Sequence, residues 1–133
     1  MPMDLKDNKK KWKNLRFIDS FRYAFKGIKT IFQEERNMRT HVTLGLVVFL
    51  ISSFLKLQQE EWLWIILSTF LVVIMEVLNT IIENIVDLIT EHHYHPLAKK
   101  AKDMAAAAVL ITASFSVITA IIILLPKIWT IFF

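Results

Sequence analysis

The chain has 133 residues, 55% of them hydrophobic and 21% charged, which fits one domain and is slightly greasier than a typical globular composition. Its two glycines, Gly27 and Gly45, exclude both G-x-x-x-x-G-K and G-x-G-x-x-G phosphate loops, which need closely spaced glycines to bring backbone against phosphate. Zero cysteines exclude a disulfide framework, a thiolate zinc site and a cysteine nucleophile.

In chain order, residues 1–16 read as a disordered basic arm, and residues 17–133 as a single membrane domain. Phe17, Phe21, Ala24, Phe25, Ile28, Ile31 and Phe32 recur at three- and four-residue steps, which predicts a helix over about 17–34 with one apolar face. Asp19 or Ser20 offers its N-cap. Arg22, Lys26 and Lys29 occupy the other side, the pattern of a helix lying on an anionic lipid surface. Headgroups account for the positive charge, so nucleic acid is not expected as a partner. No apolar core suited to a cleavable signal occupies the first ~30 residues.

Three long, nearly uncharged stretches follow. A membrane-spanning helix needs ~20 mostly apolar residues. Met104–Leu125 meets that alone, with 22 uncharged residues. The other two qualify when Arg39 and Lys56 snorkel and when acids are accepted at membrane depth. Spans are expected at about 38–57, 62–90 and 99–125. The alternative, a soluble bundle, requires a large core around a helix apolar on every face, which this length does not provide. The expected fold class is therefore all-α integral membrane, a surface helix plus three transmembrane helices.

Basic residues set the orientation. Eleven of the 16 Lys and Arg precede His41, and Lys99, Lys100 and Lys102 lie in the second connection; only Lys56 and Lys127 fall on the other side. The N-terminus is expected in the cytoplasm and the C-terminus outside, with Trp62, Trp64 and Trp129 at the outer interface. His41 is expected as an interfacial residue at the start of the first span.

Glu76, Asn79, Glu83 and Asp87 stand at steps of three, four and four, inside roughly 80° of arc on one helix. An ionisable side chain at membrane depth is unfavourable by about 2.5–3.5 kcal/mol on insertion scales and usually faces a protein interior or cavity. A hydrogen-bonding ladder between helices would suit Asn79 better than two glutamates and an aspartate. Lys102 and Asp103 open the third span beside Ala105–Ala108, small residues that admit a close helix neighbour. A cation and acids at one membrane level describe a polar pocket open to the cytoplasm, with Glu34 and Glu35 within reach. His92, His93 and His95 suggest zinc, but a short cluster needs a further ligand at fixed geometry; a solvated loop is the reading adopted.

Glu76-Val-Leu-Asn79-Thr-Ile-Ile-Glu83-Asn-Ile-Val-Asp87 resembles the signature of the prokaryotic diacylglycerol kinase family, E-x-L-N-[ST]-x-[IV]-E-x-x-V-D. Ala101-Lys102-Asp103-Met104-Ala105 is similar to its second motif and Glu35-Arg-Asn-Met-Arg39 to its third, E-x-x-x-R. The resemblance covers about residues 15–128, and the lysine-rich arm resembles the Gram-positive branch, similar to undecaprenol kinases. It implies an ATP-dependent lipid kinase of the cell membrane, a homotrimer of three-span protomers with sites between protomers. It further implies Glu76 as the base on the lipid hydroxyl, Asn79 as its orienting partner, and Glu35 and Glu83 as carboxylates holding Mg2+ on the nucleotide. Arg16, Tyr23, Asp87, Lys102 and Asp103 would contact nucleotide together with Glu35 and Glu83, and Arg39 would join Glu76 at the lipid substrate. Ala24 departs from members with a hydroxyl there, and Thr90–Leu97 departs from the enterobacterial pattern.

Undecaprenol is expected as the substrate ahead of diacylglycerol. A proton- or ion-translocating protein would need polar residues through to the outer face, where Trp62–Met75 offers only Ser68 and Thr69. A purely structural packing subunit would tolerate neutralisation of Glu83.

Overall fold

A computed structural model describes the backbone of residues 5–132 and the side-chain surroundings of residues 16–131. Four helices make up these residues: α1 (Leu5–Glu34), α2 (Arg36–Phe54), α3 (Gln59–Thr90) and α4 (Pro96–Phe132). They divide into two compact units, α1 within Met1–Glu34 and α2–α4 within Glu35–Phe133.

α1 begins at Leu5, so the stretch expected as a disordered arm is helical from that residue on. Lysine and leucine are both good helix formers, and basic composition alone does not break a helix. From Arg16 onward nearly every side chain of α1 is exposed, and Phe17, Phe21, Phe25, Ile28 and Phe32 present apolar surface within this unit. Asp19 pairs with Arg22 at 2.7 Å, and Ser20 donates its hydroxyl to the Arg16 carbonyl. Both candidate caps are thus mid-helix.

The second unit is held together by seams on each helix. On α2 the buried residues are Met38, Gly45 and Ser52, spaced by seven, the repeat that keeps one stripe facing a neighbour in left-handed helix packing. On α3 the buried run is Ile65, Ser68, Val72, Glu76, Asn79 and Thr80. The packing seam of α3 therefore turns polar at Glu76 and stays so through Asn79 and Thr80. α4 answers with Ala105, Val109, Thr119 and Leu124. Its small residues let α4 lie along α3, and Ser116 donates to the Ser68 hydroxyl at 3.5 Å.

Gly45 marks a close approach of α2 to α3. A Cβ there would lie 2.7 Å from Thr69 Cγ2, so only glycine fits without a shift. At one end of the bundle Leu57, Ile65 and Leu124 close a core with Phe49 and Trp62 around it. Glu61 at that end is held twice: it accepts from the Gln58 backbone N–H at 2.7 Å and from Lys127 Nζ at 2.9 Å. The first contact belongs to a capping box that starts α3.

Among the described residues, two helices, Gln59–Thr90 and Pro96–Ile131, are long and apolar enough to cross a membrane. α2 has 19 residues, about 28 Å at 1.5 Å per residue, close to the ~30 Å hydrocarbon thickness; Arg36, Arg39 and His41 dilute its apolar character. α4 outruns its expected end at 125. It passes through Pro126 and continues to Phe132, although proline removes one helix hydrogen bond. The connection before α4 is short. Glu91 and His92 both adopt positive φ, 50° and 61°. His95 Nδ1 accepts the Leu97 N–H at 3.2 Å, capping a helix whose first residue is Pro96, a favoured opening position.

Candidate active site

Glu76 is the centre of the polar seam. Its side chain is 2% exposed and sits 14 residues, about 21 Å, from the Thr90 end of α3. The residues acting on it come from two elements. From α2, Asn37 hydrogen-bonds to its carboxylate and His41 stands beside it, Nε2 lying 3.9 Å from Oε2. Glu35, just ahead of α2, and Glu83, along α3, both press on it with like charge. A buried carboxylate flanked by two others is unfavourable unless cations or hydrogen bonds compensate.

Asn79 and Glu83 are linked. Asn79 Nδ2 donates to Glu83 Oε1 at 3.1 Å, the i, i+4 relation that helical spacing allows. The amide oxygen Oδ1 of Asn79 is buried and lacks a hydrogen-bond partner among the described residues. Asn79 also contributes to the lining of a cavity of ≈ 470 Å³ between α3 and α4, otherwise apolar, with Met75, Ile82, Met104 and Ala105 in its wall. A buried acceptor left without a partner is unfavourable, and a donor brought to it would relieve that penalty.

The residues where α3 gives way to α4 form a second, more exposed cluster. Lys102 Nζ meets Asp87 Oδ1 at 2.6 Å, and His92 Nδ1 stands 3.8 Å from the same carboxylate. Asp103 is turned to Lys99 at 2.6 Å, an i, i+4 pair on the exposed side of α4. Lys99, Lys100, Lys102 and Asp103 ride on the first turns of α4, which begins at Pro96, a little ahead of the third span's expected start at about 99. His93, Tyr94 and His95 line a cavity of ≈ 490 Å³ with Val86, Ile89 and Leu97.

Of the other expected site residues, Glu35 is half-buried at the N-cap of α2 and Arg39 is exposed one turn on. The Arg39 N–H donates to the Glu35 carbonyl at 3.4 Å. Arg16 and Tyr23 lie exposed on α1, in the other unit; Tyr23 is flanked there by Arg22 and Lys26 at 5.7 and 5.8 Å from its ring. The side chains brought together around Glu76 are thus Glu35, Asn37, His41 and Glu83, with Asn79 joined through Glu83. Asn37 and His41 are the additions. The inward face of α2, marked by buried Met38, Gly45 and Ser52, carries His41 with it, and nothing in the sequence alone announces that face.

Glu35 and Glu83 fit a divalent cation by donor chemistry, both being half-buried carboxylates near a third one. Among the described residues no group of three or more His, Asp or Glu side chains forms a protein cage for an ion. Magnesium is commonly held by one or two carboxylates with phosphate and water completing its shell.

An all-helical membrane protein with a buried carboxylate flanked by further acids is the class that the fold and site define. The model of a family described as prokaryotic diacylglycerol kinase matches residues 22–124. An undecaprenol kinase of Bacillus subtilis is 42% identical over 125 residues, covering 94% of this chain and 99% of that protein. A diacylglycerol kinase of Synechocystis sp. is 44% identical over 107 residues, 80% of this chain but 61% of that longer protein. A diacylglycerol kinase of Escherichia coli is 37% identical over 109 residues, 82% and 88% of the two chains. The chain belongs to the prokaryotic diacylglycerol kinase family, a family of membrane lipid kinases.

Proposed function

We propose that this protein transfers the γ-phosphoryl group of ATP to the hydroxyl of undecaprenol, making undecaprenyl phosphate at a membrane site open to the cytoplasm. The observation that carries the reading is Glu76, a carboxylate 2% exposed within the apolar helix α3. A group so placed is unfavourable for insertion and useful for taking a proton from an alcohol held in lipid.

Phosphoryl transfer depends on positioning and on neutralising charge. Glu76 takes the proton of the alcohol as its oxygen attacks in line. Asn79 orients the reacting groups through its unpartnered Oδ1 while its amide steadies Glu83. Glu35 and Glu83 hold Mg2+, which when bound offsets the negative charge of the phosphates. Lys102 and Asp87, with Asp103, contact nucleotide at the level where α3 ends, and Arg16 and Tyr23 contact it from α1. Arg39 attends the lipid. The register is sensible: Glu76 lies seven residues, about 10 Å, deeper than Glu83. The base thus reaches an alcohol in the bilayer while the metal carboxylate stays near the aqueous side.

The protomer spans the membrane three times, with α2 as the span nearest the minimum length, N-terminus in the cytoplasm and C-terminus outside. It works as a homotrimer. The cavity wall of Ala101, Ala105 and Ala108 supports this, because small residues admit a neighbouring helix.

Undecaprenol is placed first because the Bacillus subtilis relative matches this chain almost end to end. The reading as a diacylglycerol kinase has support of its own in the 44% identity to the Synechocystis protein. Purified protein given γ-labelled ATP and both lipids in competition decides between them. Preferential label in undecaprenyl phosphate is expected; preferential label in phosphatidic acid overturns the ordering.

A further inference from the structure

On the reading above, which this inference rests on, an alcohol oxygen comes to Glu76 and the carbon chain behind it needs a place beside that residue. A hollow of ≈ 180 Å³ lies between α2, α3 and α4. His41, whose Nε2 stands 3.9 Å from Glu76 Oε2, forms its wall at one end. From there α2 lines it as far as Val48, and α4 lines it from Ala113 to Ala120. Each strip is about 10 Å long at 1.5 Å per residue. Thr69 and Val72 supply the α3 side; both precede Glu76 in the chain, so the hollow runs from the base away from the Thr90 end of that helix. Val48 and Ala120 pack against the Leu57, Ile65 and Leu124 core at the far end.

Small side chains make the room: Gly45, Ala113 and Ser116 stand in the wall where larger residues would fill it. Beyond His41 the wall carries two hydroxyls, and both already donate elsewhere. Thr69 donates to the Ile65 carbonyl at 2.8 Å, and Ser116 to the Ser68 hydroxyl at 3.5 Å. Water settles in a cavity when it finds about two to four polar partners, whereas an apolar cavity of about 150 Å³ takes benzene. The occupant that suits this hollow is a short piece of hydrocarbon. The two candidate lipids differ at that place. Undecaprenol is branched hydrocarbon from its hydroxyl-bearing carbon onward. Diacylglycerol carries ester groups on the neighbouring carbons, and their oxygens would leave water for a wall without a free hydroxyl donor, an unfavourable exchange.

We propose that this hollow seats the isoprene chain next to the reacting hydroxyl and sorts polyprenol from diacylglycerol, with Gly45, Ala113 and Ser116 setting specificity by their small size. Two variants fill it. Ala113→Val adds bulk inside. Val117→Phe closes it from the rim, where Val117 is 58% exposed, so the second change leaves the packed interior alone.

The full chain in detergent micelles is given labelled magnesium–ATP with undecaprenol or with diacylglycerol, and kcat/KM is measured for each lipid. Small changes of volume in a hydrophobic pocket shift discrimination about 10–200-fold. In both variants the constant for undecaprenol is expected to fall about tenfold or more, with that for diacylglycerol within about twofold of the parent's. The KM for ATP and the elution volume are expected to match the parent's. An unchanged ratio of the two lipid constants in either variant overturns the proposal, and so does an equal loss for both lipids. A parent chain that prefers diacylglycerol removes the reading beneath this inference. A parent that prefers undecaprenol, with variants that keep its ratio, removes the hollow alone.

Discussion

Lys102 Nζ lies 2.6 Å from Asp87 Oδ1, joining the first turns of α4 to the end of α3 across the short connection between them. Both side chains are partly exposed, 35% and 30%, so solvent weakens the pair as a source of stability. Its value is positional: it keeps a cation and an acid at the mouth of the polar seam.

Lys102→Met is expected to raise the KM for ATP roughly tenfold, the scale of one lost charge-assisted hydrogen bond. The KM for lipid is expected to stay near the parent's. Initial rates at varied ATP and fixed lipid, then the reverse, test this. Equal changes in both constants would argue for general disorder of the helix ends instead.

Asn79→Ala removes the amide that donates to Glu83 Oε1 at 3.1 Å and the unpartnered oxygen together. Turnover is expected to fall by about 10²-fold. The magnesium concentration for half-maximal rate is expected to rise, because Glu83 loses the bond that fixes its rotamer. Titration of activity with magnesium at saturating ATP checks it.

Gly45→Ala tests the packing of α2 on α3. The new Cβ would meet Thr69 Cγ2 at 2.7 Å, and Thr69 is not free to turn away, since its hydroxyl donates to the Ile65 carbonyl at 2.8 Å. Destabilisation of about 1–3 kcal/mol is expected. Thr69→Ser deletes the clashing methyl and keeps the hydroxyl, so the double variant is expected to recover most of the loss. Unfolding midpoints in detergent give the comparison.

At the opposite end, Glu61 accepts from both Gln58 N–H and Lys127 Nζ. Glu61→Ala removes a helix cap and an ion pair, whereas Lys127→Ala removes the ion pair alone. The unfolding midpoint is expected to fall further for Glu61→Ala, with activity per folded molecule unchanged in both.

The residues legible in the sequence are those whose relation is local. Glu76, Asn79, Glu83 and Asp87 share a face because helical pitch dictates it. The structure grades them from buried Glu76 and Asn79 to half-buried Glu83 and Asp87. His41 was placed at an interface from its position near the start of a span, yet it faces Glu76. That contact depends on how α2 is rotated against α3, which is set by Gly45 and its seven-residue neighbours rather than by anything near His41. Helix ends were the weakest reading. α1 extends back to Leu5 and α4 on to Phe132, since neither lysine-rich sequence nor a single proline stops a helix by itself.

The most direct test of the account is phosphoryl transfer by Glu76→Gln, a change that keeps shape and removes the base. Purified in detergent and supplied with labelled magnesium–ATP and lipid alcohol, this variant is expected to elute as the parent does and to lose about 10²–10⁴-fold in rate. Labelled lipid phosphate formed at the parent's rate would contradict the account at its centre.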